Sequence, residues 1–172
     1  AMSGLGTRFS VVRYGNVINS RGSIVPMVRN LKIENIKEVP LTDERMTRFF
    51  IKLNDAVIFV LKCLERMIKG EIFIPKMPSI KITKLIQAVH PQAKMKNIGI
   101  RPGEKINELL ISGDESFNAY EFSDHYVILP NNSLYEKNEF KIFKKGKSVK
   151  QGFIYSSNDN RFLSVEEIKK LI

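Results

Sequence analysis

Arginine, asparagine and glutamate in four polar clusters are the residues here best suited to chemistry: the arginines and the amide suit the holding of an anion, and the carboxylate suits hydroxyl donors. In Val12-Arg13-Tyr14-Gly15-Asn16-Val17, an amide side chain follows an apolar run that reads as a buried strand. Ligands of open α/β sheets bind beyond the carboxyl ends of strands, so Asn16 could hydrogen-bond phosphate oxygens, although the commoner role of such a residue is to make the turn. Ser20-Arg21-Gly22-Ser23 precedes a helical pattern, where exposed amides attract anions; an ordinary N-cap is the more frequent use. Thr42-Asp43-Glu44-Arg45-Met46-Thr47-Arg48-Phe49-Phe50 is dense in polar and aromatic types. Its Arg48 could fork onto a diphosphate or pair with Asp43 or Glu44. Arg101-Pro102-Gly103-Glu104-Lys105 is a stiff turn of both charge signs. Arg101 suits a phosphate and Glu104 the paired hydroxyls of a ribose; the two could equally pair with each other.

Other candidates carry less. His90 and His125 stand apart from any Asp, Glu or Cys spacing that suggests a metal, and read as structural or surface groups. Cys63 lies in an apolar helical pattern and reads as core rather than nucleophile. Lys141, Lys144, Lys145, Lys147 and Lys150 form a basic run whose usual meaning is a solvated face, with Phe140, Phe143 and Phe153 the aromatics that a nucleic-acid patch would need.

The elements that must position these residues alternate between strand and helix, which indicates an α/β chain. The opening Phe9–Tyr14 reads as a buried strand. Ile24, Met27, Val28 and Leu31 recur at helical spacing, with Pro26 tolerated in the first turn. Glu38–Thr42 is extended. The spacing predicts a helix from Asn54 to Lys69, with Val57, Val60, Leu61, Leu64 and Ile68 as its buried stripe and Gly70 as a left-handed stop. A strand follows at Glu71–Ile74. Ile82, Leu85, Ile86 and Val89 repeat helically until Pro91, Lys94–Ile100 is extended, and Ile106–Ile111 reads as a short helix. His125–Leu129 is a strand. Ser164 with Glu167 forms a capping box, and Leu163 with Ile168 a hydrophobic staple, for a last helix.

The chain has 172 residues, which allows one domain with a tail. Its 43% hydrophobic and 27% charged content is that of a globular protein. No apolar run approaches the roughly 18 residues of a membrane span, so no membrane partner is expected. The single cysteine excludes a disulfide framework and a Cys-rich zinc site and fits a reducing cytoplasm. The net charge of +10 favours anionic partners: nucleic acid, a membrane surface or phosphorylated metabolites.

Five segments in this order, Arg13-Tyr14-Gly15-Asn16-Val17, Ser20-Arg21-Gly22-Ser23, Met46-Thr47-Arg48-Phe49, Gly70-Glu71-Ile72-Phe73 and Arg101-Pro102-Gly103-Glu104-Lys105, resemble the C-terminal half of UDP-N-acetylglucosamine 4,6-dehydratases. These are extended short-chain dehydrogenase/reductases grouped with polysaccharide-biosynthesis proteins. The segments Thr42–Phe49 and Ile72–Ser79 are similar to the soluble, inverting branch, which serves pseudaminic acid or surface-polysaccharide biosynthesis. The resemblance divides the chain into residues 1–8, an expression scar and linker, residues 9–130, a UDP-sugar-binding region, and residues 131–172, a basic tail ending in a capped helix. It implies that Asn16, Arg48 and Arg101 hold the diphosphate, that Ser23 and Thr42 lie near the uracil, and that Glu104 lies near the ribose.

The chain departs from that family in lacking the Gly-rich Rossmann turn and a Tyr-x-x-x-Lys pair. The residues four places after Tyr14, Tyr120, Tyr126, Tyr135 and Tyr155 are Ile18, Asp124, Pro130, Glu139 and Asp159. The resemblance therefore implies an α/β substrate-binding portion without most of the Rossmann sheet. NADP belongs to the complete enzyme, and none is expected on this chain, which is expected to be inert alone. The implied partners are UDP-N-acetylglucosamine, the missing N-terminal Rossmann half and further copies in a homo-oligomer. The alternatives are a retaining dehydratase or epimerase fragment, a basic nucleic-acid module, which the scattered acids oppose, and a fragment serving oligomer contacts.

Overall fold

A computed structural model describes residues 6–130 and 140–172. Most of the expected N-terminal scar, and part of the expected tail, lie outside the described residues. In chain order the elements are β1 (Val11–Val12), β2 (Asn16–Val17), α1 (Ile24–Ile33), β3 (Glu38–Leu41), β4 (Thr47–Ile51), α2 (Leu53–Arg66), β5 (Ile72–Pro75), β6 (Ser79–Lys81), α3 (Ile82–Val89), β7 (Lys94–Asn97), β8 (Leu109–Ile111), β9 (Ala119–Glu121), β10 (His125–Ile128), β11 (Lys147–Ser148), β12 (Tyr155–Ser156) and α4 (Val165–Leu171). The chain is α/β and divides into two compact units, each built from three separate stretches.

The first, the sheet unit, takes Ala1–Tyr14, Asn54–Lys76 and Leu109–Tyr155. Its sheet runs β1-β5-β10-β9-β11, with β1 parallel to β5 and the remaining pairs antiparallel. β5 is apolar at successive positions because both its faces are covered; Phe73 and Ile74 are fully buried. The expected buried strand Phe9–Tyr14 contributes only Val11–Val12 to the ladder. It is an edge strand with Val11 half exposed, since among the described residues only β5 pairs with it.

A second correction concerns α2. Its buried residues are Ala56, Phe59 and Cys63, whereas Val57, Val60, Leu61 and Leu64 of the expected stripe are 39–63% exposed. The helix is apolar over an arc wider than the core of this unit covers, with Asn54, Asp55, Lys62, Glu65 and Arg66 on the remaining face. That core, with Phe73, Val127, Leu129, Phe140 and Phe143, takes the part bearing one small and one aromatic side chain a turn apart. Beyond α2, Gly70 takes the left-handed conformation at φ +78°. Glu71, fully buried, accepts the amides of Ile68 at 2.7 Å and Lys69 at 3.0 Å and the Ser10 hydroxyl, so its charge is satisfied by the chain end it ties down.

The second, the pocket unit, takes Gly15–Leu53, Met77–Glu108 and Ser156–Ile172. β2 lies parallel to β4, which pairs antiparallel with β6, and β3 pairs in parallel with β7. One core gathers Val25 and Val28 of α1, Leu85 and Ile86 of α3 and Leu163 and Ile168 around α4. Each such side chain, fully buried, is worth about 1.5–3 kcal/mol against exposure. α3 matches its predicted limits because its apolar positions repeat at helical spacing between a strand and Pro91; Met46 O accepts its first amide, from Ile82, at 3.0 Å. α4 carries the expected capping box.

The expected helix at Ile106–Ile111 is instead a loop leading into β8. Ile106 O, which a helix would offer to the amide four residues on, accepts the amide of Thr47 at 3.0 Å and a guanidinium N–H of Arg48 at 2.9 Å. An apolar run this short carries no period of its own, and tertiary pairing decides it.

Candidate nucleotide pocket

The pocket unit holds a cavity of about 300 Å³, in the range of small-molecule sites. Asn16, Ser23, Thr42, Arg48, Arg101 and Glu104, drawn from four separate sequence clusters, all line it. Apolar walls come from Ile24, Met27, Leu41, Met46, Phe50 and Ile82.

Asn16 is set by close packing. It pairs with Phe50 in the β2–β4 register, and Gly15 lies against β4 so tightly that a Cβ there would fall 2.5 Å from both Phe49 Cβ and Phe49 O. Ser23 occupies the N-cap position of α1, after Gly22 at φ +73°, yet its hydroxyl does not cap the helix. Its Oγ is buried without a hydrogen-bond partner among the described residues, so the ordinary N-cap use is not the one seen. A buried hydroxyl costs free energy unless something bonds it.

Thr42 follows β3, where Ile98 N donates to Leu41 O at 2.8 Å. In the adjoining turn Asp43 pairs with Arg45, not with Arg48, at 2.7 Å. The Arg45 side-chain hydrogen bond, then its amide, holds the Asp43 carboxyl down at about 2. Arg48 turns to the loop after β7. Its Nη1 donates to Thr47 O at 2.7 Å and Ile106 O at 2.9 Å, its Nη2 donates to Lys105 O at 2.7 Å, and its Nε faces Glu108 Oε1 at 3.3 Å.

Arg101 and Glu104 sit on the exposed stretch of that loop. Glu104 N donates to Arg101 O at 3.0 Å, and the Glu104 carboxylate accepts the Arg101 amide at 3.2 Å. The contact is therefore between side chain and backbone, and the Arg101 guanidinium has no ion pair among the described residues.

Sequence reasoning missed Thr47, Asn107, Glu108 and Ser157, which knit the loop to β4. Ser157 and Thr47 hydroxyls meet at 2.7 Å across a separation of 110 residues, a distance at which no local spacing gives a signal.

The remaining candidates sit elsewhere. His90 is buried with Nε2 3.2 Å from Ile36 O. His125 stacks on Phe122 at 4.7 Å, with Nδ1 2.7 Å from Asp124. Burial pushes the Cys63 thiol up to about 11, which removes the thiolate a nucleophile needs. Among the described residues no group of His, Cys, Asp and Glu could hold a metal ion, and no helix is long and apolar enough to cross a membrane.

Comparison with known proteins adds relatives of defined chemistry. The chain is 52% identical over 165 residues to a UDP-N-acetylglucosamine 4,6-dehydratase (inverting) of Campylobacter jejuni, covering 94% of this chain and 49% of that protein. It is 37% identical over 171 residues to a UDP-glucose 4-epimerase of Rickettsia canadensis, covering 96% of this chain and 49% of that protein. The chain thus spans about half the length of the curated relatives it matches. In three dimensions it resembles the X-ray structure of Pen from Bacillus thuringiensis with a TM-score of 0.80 and 33% identity, over 96% of this chain and 48% of that one. A family model described as "Polysaccharide biosynthesis protein" matches residues 2–130, and the chain belongs to that family.

Proposed function

We propose that the chain is the UDP-sugar-binding half of a UDP-N-acetylglucosamine 4,6-dehydratase that also inverts C5, acting in nucleotide-sugar and surface-polysaccharide biosynthesis. The observation that carries this reading is the convergence of the six residues that the resemblance implies on one cavity in which a buried hydroxyl, Ser23, lacks a partner among the described residues. Arg101, with Asn16 and the cationic edge of Arg48, holds the diphosphate. Ser23 and Thr42 face the uracil, and Glu104 accepts from the ribose hydroxyls. Gripping the nucleotide at a distance from the reacting carbons fixes the sugar for chemistry done by other groups.

The resemblance implies NADP in the complete enzyme, where it would supply the redox chemistry. The residues here do not fit it. Among the described residues Gly6, Gly22, Gly70, Gly99, Gly103 and Gly152 each make an isolated left-handed turn, and Gly15 is filled against Phe49, so none of these forms the glycine cradle a dinucleotide needs. No residue of this chain is assigned to the cofactor, and none supplies a Tyr-x-x-x-Lys acid–base pair. The exposed apolar residues of α2 and the free edge of β1 support a covering partner, which we take to be the Rossmann half, with assembly into a homo-oligomer. The lone reduced cysteine supports a cytoplasmic setting.

Titrating UDP into the chain by calorimetry tests the reading. Saturable binding is expected, weakened about 10-fold or more by Arg101→Ala, the scale of a charge-assisted contact, and weakened also by Arg48→Ala, which removes both its charge and its hold on the loop. A cooperatively folded chain that binds no UDP would overturn a preformed site, and conversion of UDP-N-acetylglucosamine to a 4-keto sugar by the chain alone would overturn the division of labour. The epimerase relative supports a second reading, which product stereochemistry of the complete enzyme separates from the first.

A further inference from the structure

The loop that carries Arg101 and Glu104 is held at both ends and exposed between them. At its start Ile98 N donates to Leu41 O at 2.8 Å, and Gly99 N to Asn97 Oδ1 at 3.0 Å. Residues 99–105 are exposed, and Gly99 and Gly103 take left-handed φ values of +83° and +84°. Its far end is held by a connected set of polar groups. Thr47 Oγ1 donates to Asn107 Oδ1 at 2.9 Å, which leaves the Ser157 proton shared between Thr47 Oγ1 at 2.7 Å and Thr47 O at 3.1 Å. Ser157 then accepts Glu108 N at 2.8 Å, and its own amide donates to Glu108 O at 2.9 Å. With its backbone fixed on both sides, Glu108 sets its carboxylate against Arg48 Nε, and Arg48 grips the carbonyls of Lys105 and Ile106.

This arrangement uses nearly every donor of Arg48. The N–H left over, on Nη2, points to Met46 Sδ at 3.9 Å. Arg48 therefore acts on the loop through its carbonyl grip as well as on any ligand through its charge. Ser157, fully buried, comes from the last stretch of the chain and touches none of the cavity.

We infer that Glu108 and Ser157 are positioning residues of the nucleotide pocket: by fixing Arg48 and the root of the 99–105 loop, they set where Arg101 and Glu104 meet the diphosphate and ribose. The inference rests on the nucleotide reading for its ligand, but the mechanical part stands on the ligand-free chain and is measured there.

Two measurements on the intact chain test it. Amide hydrogen exchange without ligand should show faster exchange at residues 99–106 in Glu108→Ala and Ser157→Ala, with α3 unchanged. Calorimetry should show UDP affinity falling about 10-fold in both, the scale of a hydrogen bond to a charged group, while Glu108→Gln, which keeps an oxygen acceptor for Nε, recovers most of it. Parent-like exchange and affinity in both alanine variants overturns the inference. So does Glu108→Gln binding no better than Glu108→Ala, or exchange rising equally in α3, since either marks general loosening. If the parent binds no UDP, the nucleotide reading falls, and the exchange comparison alone decides whether these residues hold the loop.

Discussion

The sheet unit and the pocket unit both bury polar groups, but they direct them differently. In the sheet unit the carboxylates are turned onto the chain itself. Glu71 closes the segment after α2, and Glu115 accepts Arg13 at 3.0 Å and the Ser112 amide at 2.9 Å. In the pocket unit polar groups gather beside a cavity, where the buried Ser23 hydroxyl is unbonded among the described residues and the exposed Arg101 guanidinium has no ion pair among them. The difference teaches where to look for function. Satisfied buried groups mark framework, and unsatisfied ones beside open space mark a place awaiting a ligand.

Breaking the framework should cost most. Phe73 is fully buried and meets Phe143 edge-on at 5.7 Å, so Phe73→Ala is expected to destabilise the chain by about 3–5 kcal/mol in urea unfolding. Its UDP affinity, measured under conditions where it stays folded, should remain within about 2-fold of the parent, because Phe73 lines none of the cavity and shares no partner with its residues. A collapse of affinity would show that the two units are not energetically separate.

A smaller loss with the opposite pattern is expected from Gly15→Ala. The new Cβ would overlap Phe49, backbone included, and overpacking of this kind costs about 1–3 kcal/mol. Here Asn16 moves with its neighbour, so UDP affinity should fall together with the unfolding midpoint. Unaltered affinity would detach Asn16 from the pocket.

The smallest effect sharpens the framework side. Burial alone would raise the Glu115 carboxyl, but the Ser112 amide and Arg13 outweigh it and hold it below the usual carboxylate range. A carboxyl depressed in the folded state stabilises above its unfolded pKa and loses that contribution as pH falls through the folded value. With both partners about a third exposed, the pair is worth about 1 kcal/mol or less. Stability of the parent should therefore drop slightly more between neutral pH and strong acid than that of Glu115→Gln, and parallel curves would remove the pair from the ledger.

Much of this was legible in the residues. α3 and α4 could be drawn from sequence because each has one apolar face and a clear start or stop. Asn16, Arg48, Arg101 and Glu104 could be singled out as candidates from local chemistry, whereas Ser23 and Thr42, and the grouping of all six, came from the family resemblance. The buried face of α2 could not, because Val57, Leu61 and Leu64 satisfy the helical period as well as Ala56, Phe59 and Cys63 do, and only the sheet chooses between them. Ile106–Ile111 misled for the same reason on a shorter scale. Arg48 was legible as a cation but not as the clamp of a loop, since its acceptors are backbone carbonyls that any sequence would offer.

The interleaving of the two units has a consequence for how the chain is born. The core of the pocket unit unites Ile18 and Val25 with Leu163 and Ile168, and the sheet unit threads between those stretches. During synthesis residues 15–53 cannot close that core until Ser156–Ile172 has left the ribosome, so they wait unsealed while the stretches between are made. Pairings of such long sequence separation are slow to form, which makes the closing of this core a late event rather than the first of a succession of finished parts.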